Sequence, residues 1–179
     1  MRLAYRELRH RAAEIRFLLL DVDGTLTPGT VLYTGEERST LPFEIKDGLG
    51  IQCARRSGIR VGILSGRGGA ALERRASELG IDPVVTNRSD KARAFEELLD
   101  SLDLRAREVA YVGDDLTDLP ILDRCGLGFA PRDGAKEVRR TAHRVLSRGG
   151  GKGCVREAIE ILLRAREQWA ERVSEYRET

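Results

Sequence analysis

A short apolar run, Phe17 to Leu20, leads directly into two acidic residues, Asp21 and Asp23, with only Val22 between them. A run that is apolar on both faces predicts a strand in a sheet that helices cover on both sides. Two carboxylates at the end of such a strand repel each other, and each raises the pKa of the other. The stretch therefore predicts a buried strand whose carboxyl end gathers charge that something else must compensate.

Apolar segments alternate with helical stretches along most of the chain. This alternation predicts parallel strands joined by right-handed crossovers, and so an α/β fold: a Rossmann-like three-layer sandwich with a mostly parallel sheet. The predicted strands are Phe17 to Val22, Arg60 to Leu64, Pro83 to Thr86, Glu108 to Val112, Gly126 to Ala130 and His143 to Leu146. The predicted helices are Gly48 to Arg56, Gly69 to Leu79, Lys91 to Leu102 and Leu119 to Cys125.

Two stretches interrupt the alternation. Residues 27–46 contain "VLYT" and "LPFEI" on either side of "GEERS", which predicts a β-hairpin flap after the first strand. Residues 153–176 carry apolar side chains at helical spacing, which predicts one long amphipathic tail helix. The hairpin occupies the gap after the first strand, and one predicted helix occupies the gap between Val85 and Val109, so neither gap has room for a cap domain. We expect a single domain over residues 1–179.

Composition excludes several classes of protein. The 31 basic and 29 acidic residues give a net charge of only +2, which argues against a nucleic-acid-binding protein. The N-terminal segment is charged throughout, and no apolar run approaches the roughly 20 residues that span a membrane. Three cysteines far apart in the sequence form no metal-binding or disulfide pattern, so we expect a reducing cytoplasm.

Polar residues follow the predicted strands, and the carboxyl ends of parallel strands meet at one edge of the sheet, where ligands bind. This edge is expected to gather the carboxylates with one hydroxyl and one ammonium group. The residues are Asp21 and Asp23 after the first strand, Ser65 and Gly66 after the second, Lys91 after the third, and Asp114, Asp115 and Asp118 after the fourth.

Clustered carboxylates need a cation, and Mg²⁺ suits a few carboxylates together with waters and a phosphate. Beside such an ion Asp21 is the candidate nucleophile that forms an aspartyl-phosphate. Asp23 is placed to protonate the leaving alcohol and later to activate water. Lys91 adds positive charge, and the Ser65 hydroxyl is placed to donate to a phosphate oxygen.

These four stretches resemble, in order, the four motifs of the haloacid dehalogenase-like phosphatase superfamily. "LLLDVDGTLT" matches the first, "ILSGR" the second, Lys91 the third and "GDDLTD" the fourth. The resemblance implies that Asp21 and Asp114 bind Mg²⁺ through their side chains and Asp23 through its backbone carbonyl. It also implies that Asp115 lies near the metal ligands without binding the ion.

A narrower resemblance is to the 3-deoxy-D-manno-octulosonate 8-phosphate phosphatases, carried by "FEIKDGLGIQCARRSGIRVGILSGR", "YVGDDLTDLPIL" and "GGGKGCVREAIEILL". It implies a homotetrameric, Mg²⁺-dependent phosphatase of lipopolysaccharide sugar synthesis that hydrolyses a sugar-acid phosphate. The chain departs from that pattern at Pro28, where the family often has aspartate, and in "FAPRDGAKEVRRTAHRV". The departures leave open a phosphatase for nonulosonate 9-phosphates or other small sugar phosphates.

Without a cap, we expect neighbouring subunits to complete the site through the hairpin and the "RGGGKG" segment. Lys152 or Arg148 would then meet the carboxylate of the sugar acid, with Arg67 as a second cation. The alternatives are that Arg67 is a surface residue and that "RGGGKG" is a flexible linker. Asp118 alternatively serves as the acid at a helix N-terminus.

Two alternative functions follow from the same residues. A catalytically idle binding or structural subunit would keep the fold, but it has no reason to retain both Asp21 and Asp23. A phosphotransferase or mutase would also form an aspartyl-phosphate. Those enzymes usually need a closing cap to shield the intermediate from water, so the sequence favours hydrolysis.

Overall fold

The computed structural model describes residues 4–34 and 38–178. Its strands are β1 (Phe17–Leu20), β2 (Leu32–Thr34), β3 (Arg38–Thr40), β4 (Arg60–Leu64), β5 (Val84–Val85), β6 (Val109–Val112), β7 (Leu127–Ala130) and β8 (Arg144–Val145). Its helices are α1 (Tyr5–Glu14), α2 (Ile45–Arg56), α3 (Ala70–Leu79), α4 (Lys91–Leu102), α5 (Leu119–Leu122), α6 (Lys136–Thr141), α7 (Cys154–Ala165) and α8 (Trp169–Glu175). Helix α1 lies where the sequence had predicted no element.

Six strands form one sheet in the order β5-β4-β1-β6-β7-β8, and each neighbouring pair is parallel. From β1 the chain builds the sheet outward through β4 and β5, then returns to the other side of β1 with β6. The order therefore reverses at β1. In α/β sheets ligands bind at such a reversal, beyond the carboxyl ends of the strands. All six predicted strands are present.

Helices cover both faces of the sheet, which confirms the three-layer α/β sandwich. Alternate residues of β1 point to opposite faces: Leu18 and Leu20 pack into one core, Phe17 and Leu19 into the other. The first core is shared with α1, α2, α3, α7 and Trp169, and the second with α4, α5 and α6. Both faces of β1 are buried, as its unbroken apolar run predicts.

The hairpin differs in detail from the prediction. Strands β2 and β3 pair antiparallel, with Leu32 opposite Thr40. The second strand is therefore residues 38–40 and not "LPFEI", which contains Pro42 and leads into α2. The side chain of Glu44 accepts a hydrogen bond from the backbone N–H of Lys46 at 3.1 Å and so starts the helix at Ile45. Part of the predicted "GEERS" loop, residues 35–37, lies outside the described residues.

The predicted tail helix is divided in two. Helix α7 ends at Ala165, and Glu167 adopts a left-handed conformation with φ 62° that no helix continues through. The guanidinium of Arg166 donates to the carbonyl of Ile15 at 2.6 Å, which fixes the bend to α1. Helix α8 then folds back and places Trp169 under the guanidinium of Arg156, 4.8 Å from the ring centre.

A cap domain would be inserted either between β1 and α2 or between β5 and β6, and both connections are short. The hairpin occupies the one between β1 and α2. Helix α4 and a short 3₁₀ turn at Ala106–Glu108 occupy the one between β5 and β6. The described part of the chain therefore contains no cap domain. Within residues 4–34 and 38–178, every helix is too short or too polar to cross a lipid bilayer.

Candidate active site

The site begins at the turn that follows β1. Asp21 leaves the strand in extended conformation, and the chain then makes a tight turn over Val22–Leu26. Gly24 has φ 86° in this turn, a region that favours glycine. A Cβ on Gly24 would also overlap the carboxylate of Asp114, which follows β6. Glycine is therefore needed here for two reasons, and it lets the turn after β1 approach the acid after β6.

Lys91 lies at the first position of α4 and is the centre of a buried ion-pair cluster. Its Nζ donates to Asp21 Oδ1 at 2.6 Å and to Asp118 Oδ1 at 2.5 Å. The three side chains are 5%, 7% and 1% exposed, respectively. Burial alone would lower the pKa of Lys91, but the two carboxylates outweigh it and raise that pKa. The helix start is fixed by Asp90, whose carboxylate accepts from the backbone N–H of Arg93 at 3.2 Å.

Asp118 organises the loop that follows β6. Its Oδ1 also accepts from the hydroxyl of Tyr111 at 2.6 Å. Its Oδ2 accepts from the backbone N–H of Asp114 at 2.7 Å and of Asp115 at 3.1 Å. Burial and the charge of Asp118 raise the pKa of Tyr111 well above its ordinary value, so its hydroxyl remains a donor. Together with the bond from Lys91, these three hydrogen bonds fix where Asp114 lies relative to Asp21.

Asp21 and Asp114 face each other across the cluster. Burial, only partly offset by Lys91, raises the pKa of Asp21 to about 6. Burial and the charges of Asp21 and Asp118 raise the pKa of Asp114 to about 8. One ligand atom from each of Asp21, Asp114 and Asp118 lies within 4.8 Å of the others. Three carboxylates against one ammonium group leave an excess of negative charge.

The donors fit a hard divalent cation, because they are all oxygen and carry surplus negative charge. Asp118 contributes least to such a site, because each of its oxygens already accepts two hydrogen bonds within the protein. Asp21 and Asp114 are the carboxylates with capacity for an ion. Burial and the neighbouring carboxylates raise the pKa of Asp114 and so disfavour its ionised form, which a bound cation would favour.

Asp23 lies at the solvent side of the site. Arg67 grips its carboxylate with two hydrogen bonds, Nε to Oδ2 at 2.9 Å and Nη2 to Oδ1 at 3.2 Å. The backbone N–H of Arg67 donates to the hydroxyl oxygen of Ser65 at 3.1 Å. Ser65 is buried, so this bond sets the direction in which its own hydroxyl proton can be donated.

A pocket of about 250 Å³ joins these groups. It brings together eight of the predicted site residues: Asp21, Asp23, Ser65, Gly66, Arg67, Lys91, Asp114 and Asp115. Lys152 is not among the lining residues; it is exposed on a turn whose neighbour Gly151 donates its N–H to the carbonyl of Thr25 at 2.9 Å. That turn packs behind the Asp23 turn, which is the turn at Val22–Leu26, and away from the pocket's lining.

Sequence reasoning missed several residues of the site. Arg88, Ser89 and Thr117 line the pocket, and Tyr111 supports Asp118 from within β6. Arg88 and Ser89 lie between β5 and Lys91, so the rule that ligands bind beyond strand ends would have included them. No sequence signal identifies Tyr111, because its partner is apparent only after folding.

Comparisons with known proteins agree with this geometry. The sequence model of a family described as haloacid dehalogenase-like hydrolase matches residues 77–153. A 3-deoxy-D-manno-octulosonate 8-phosphate phosphatase from Yersinia pestis is 39% identical over 158 residues, which are 88% of this chain and 84% of that protein.

Solved structures extend the similarity to the fold. The phosphatase of the same name from Moraxella catarrhalis, in complex with magnesium ion, phosphate ion and a KDO molecule, superimposes with a TM-score of 0.93 at 34% identity. The match covers 96% of this chain and 98% of that one. The cobalt-bound deoxy-D-mannose-octulosonate 8-phosphate phosphatase from Haemophilus influenzae gives 0.85 at 36% identity, covering 89% and 93%.

Proposed function

The chain belongs to the 3-deoxy-D-manno-octulosonate 8-phosphate phosphatase family of haloacid dehalogenase-like hydrolases, and we propose that it hydrolyses the phosphate ester of this sugar acid. The observation that carries the proposal is the buried cluster in which Lys91 bonds both Asp21 and Asp118 at the point where the sheet order reverses. Its surplus of carboxylates can bind a cation, and a bound cation is what allows a carboxylate to attack an anionic phosphate.

In the proposed reaction, the carboxylate of Asp21 attacks phosphorus while the bond from phosphorus to the sugar oxygen breaks. Asp23 gives its proton to that oxygen, which leaves as the alcohol. Asp23 then takes a proton from water, and the water oxygen attacks the aspartyl-phosphate, which releases phosphate and restores Asp21. Lys91 holds Asp21 in place throughout, because both groups are buried and joined at 2.6 Å.

The phosphate oxygens would be bound by the hydroxyl of Ser65, the backbone of Gly66 and the ammonium of Lys91. A magnesium ion held by Asp21, Asp114 and the backbone carbonyl of Asp23 would supply the positive charge that lets one anion approach another. Asp115 would act behind these ligands. Its carboxylate accepts from the N–H of Leu116 at 2.8 Å and so helps to shape the loop that carries Asp114.

Arg67 and Lys152 are the proposed partners of the sugar acid's carboxylate. Arg67 supports this role through its place at the pocket mouth, beside Asp23. Lys152 is exposed and lies outside the pocket lining, so the turn that carries it would have to come closer to the pocket for Lys152 to bind substrate. The Lys152→Ala variant therefore tests whether the turn reaches substrate at all: a raised KM supports the assignment, and an unchanged KM removes it.

We also propose that the chain forms a homotetramer and works in the cytoplasm. Leu32 at the hairpin and Ile45 at the start of α2 are 50% and 80% exposed, which supports contacts between subunits at this face. The three cysteines are all unpaired thiols, as a reducing compartment requires. An Ile45→Glu variant should shift the sedimentation coefficient to smaller species and lower kcat/KM; a tetramer that survives unchanged would argue against this face.

The function is tested by ranking substrates by kcat/KM in the presence of Mg²⁺ and again in EDTA. The expected order is 3-deoxy-D-manno-octulosonate 8-phosphate first, then nonulosonate 9-phosphates, then simple hexose phosphates. EDTA should abolish turnover of all three. Hexose phosphates in first place would overturn the substrate assignment, and metal-independent turnover would overturn the mechanism.

A further inference from the structure

We infer that the glycine segment Gly149–Gly151 is a positioning element that holds the Asp23 turn in its reactive place. The inference rests on the proposed roles of Asp23 and Asp114. It assigns a task to a segment that composition makes look like a flexible linker or a ligand loop. The segment does not line the pocket; it acts through the backbone of Gly24.

The contact between the two turns has no room for a side chain. A Cβ on Gly150 would overlap the carbonyl oxygen of Gly24 and lie 3.1 Å from its Cα. The next residue, Gly151, has φ 60°, and a Cβ there would overlap the backbone around Pro28. The two turns therefore pack backbone against backbone, which only glycine allows.

Hydrogen bonds fix the register of this packing. The N–H of Gly151 donates to the carbonyl of Thr25 at 2.9 Å, and Cys154 Sγ donates to the same oxygen at 3.3 Å. Thr25 lies two residues beyond Asp23 in the Asp23 turn. The glycine segment thus binds the turn on the side that faces away from the pocket.

The glycine segment is itself held on both flanks. Asp133 accepts from the N–H of Gly150 at 2.9 Å. On the N-terminal side Glu157 accepts from the N–H of Ser147 at 2.8 Å and of Arg148 at 2.9 Å. On the C-terminal side the buried Asp47 accepts from the N–H of Arg156 at 2.6 Å, at the start of α7. A segment anchored in this way resists displacement instead of yielding to it.

Gly24 is therefore enclosed from two directions. Gly150 lies against its carbonyl, and the carboxylate of Asp114 occupies the space where its side chain would be. A shift of Gly24 would move Asp23, its neighbour in the chain, and would also press on Asp114. The proposed phosphate contacts lie elsewhere, Ser65 after β4 and Lys91 at the start of α4, and would stay in place. The expected signature is a loss in kcat with KM little changed.

The test compares Gly150→Ala with Gly126→Ala, a matched control at the opposite edge of the sheet. A Cβ on Gly126 would overlap the carbonyl oxygen of Arg107 and lie 3.1 Å from its Cα, the same collision with backbone far from the site. Neither glycine has positive φ, so the two substitutions differ in place and not in kind. The kcat of each variant is calculated from the concentration of folded protein only. We expect Gly150→Ala to lower kcat by at least about tenfold, since displacements near 1 Å cost that much or more, and Gly126→Ala to leave it within about twofold.

A milder pair guards against failure of Gly150→Ala to fold. Asp133 is exposed, and its replacement by alanine removes the anchor of Gly150 without adding bulk. Asp133→Ala should lower kcat and speed amide hydrogen exchange in residues 22–26. Asp133→Asn retains an acceptor oxygen and should restore both towards the wild-type values.

The exchange measurement separates this inference from the proposed function. If the wild-type protein hydrolyses no phosphomonoester while exchange in residues 22–26 still responds to Asp133→Ala, the function is wrong and the positioning role stands. If kcat and exchange in residues 22–26 are the same in the variants at Gly150, Gly126 and Asp133, the positioning role is overturned.

Discussion

The two edges of the central sheet carry the same kinds of charged side chain in different surroundings. At the amino edge Arg16 and Glu108 pair at 3.2 Å, with side chains that are 66% and 19% exposed. At the carboxyl edge Lys91 pairs with Asp21 and Asp118 at 2.6 and 2.5 Å, and none of the three is more than 7% exposed. All three pairs lie within ion-pair distance, but water reaches the pair at the amino edge and is largely excluded from those at the carboxyl edge.

The difference shows how an ordinary α/β sheet acquires chemistry at one edge only. Exposed ion pairs are screened by water and contribute little to stability. Buried charges are screened poorly, so their number has to balance or the surplus has to be used. The amino edge has exposed pairs such as Arg16 with Glu108 and Arg107 with Glu14. The carboxyl edge sets Asp21, Asp114 and Asp118 against Lys91. A divalent ion would compensate that surplus of negative charge and would in turn attract a phosphate group.

The largest expected effect comes from Asp21, the proposed nucleophile. Asp21→Asn keeps the shape of the side chain but removes its charge, so no aspartyl-phosphate can form. We expect kcat to fall by at least about a thousandfold. Glu14→Gln, at the amino edge beside Arg107, is the control and should keep full activity. Release of para-nitrophenol from para-nitrophenyl phosphate measures both, and unchanged turnover in the Asp21 variant would exclude it as nucleophile.

The second prediction compares stability at the two edges. Lys91→Met leaves the buried carboxylates of Asp21 and Asp118 without their common partner, which should lower the free energy of unfolding by about 3–5 kcal/mol. Arg16→Met removes an exposed partner and should cost about 1 kcal/mol or less. Urea unfolding at pH 7.5 in EDTA measures both. Equal losses would mean that burial does not distinguish the edges.

The fold was largely predictable, because the period of the apolar residues specifies strand or helix locally. The six sheet strands, α4 and the site edge all followed from that pattern. The second hairpin strand was wrong because the sequence does not show that Glu44 caps a helix. The tail was wrong because one left-handed residue, Glu167, ends α7 where the apolar spacing continues.

The site was predictable where a residue directly follows a strand and unpredictable where it acts through another. Asp21 and Ser65 directly follow β1 and β4, and Lys91 opens the helix that comes after β5. Asp118 was predicted among the acids of the site edge, with an ordinary acid at a helix start as the alternative. Its role depends on Tyr111 and on two backbone N–H groups that the fold brings to it. Contacts of this kind have no period, so a single sequence does not reveal them.

The third prediction uses protons to distinguish the edges. Asp114, with a pKa raised to about 8 by burial and the neighbouring carboxylates, holds a proton at pH 7 when no ion is bound. Binding of Mg²⁺ needs the ionised form, so it should release a proton, and affinity should rise with pH by up to about tenfold per unit until pH 8. At the amino edge the N–H of Arg105 and the side chain of Arg16 lower the pKa of Glu108. Glu108 therefore stays ionised and releases no proton when Mg²⁺ binds.

Titration calorimetry in two buffers with different ionisation enthalpies measures the protons released. The Asp114→Asn variant supplies the control: it should bind Mg²⁺ more weakly and with a flatter dependence on pH. Binding to the wild type that releases no protons between pH 6 and 8 would show that the carboxyl edge carries no surplus of unscreened charge.

The smallest effect is expected at Tyr111, and it tests whether the support of Asp118 matters as much as its pairing. Tyr111→Phe removes one donor from Asp118 Oδ1 but leaves Lys91 and both N–H bonds in place. Because Tyr111 is fully buried, the change should cost about 1–2 kcal/mol of stability. Since Asp118 keeps its other bonds, kcat should fall only a few fold. Tyr5→Phe, at a tyrosine that is 64% exposed, should change neither quantity. A loss of kcat as large as that of the Asp21 variant would place Tyr111 among the groups that act on the phosphate, and the carboxyl edge would then hold one more catalytic residue than its charges reveal.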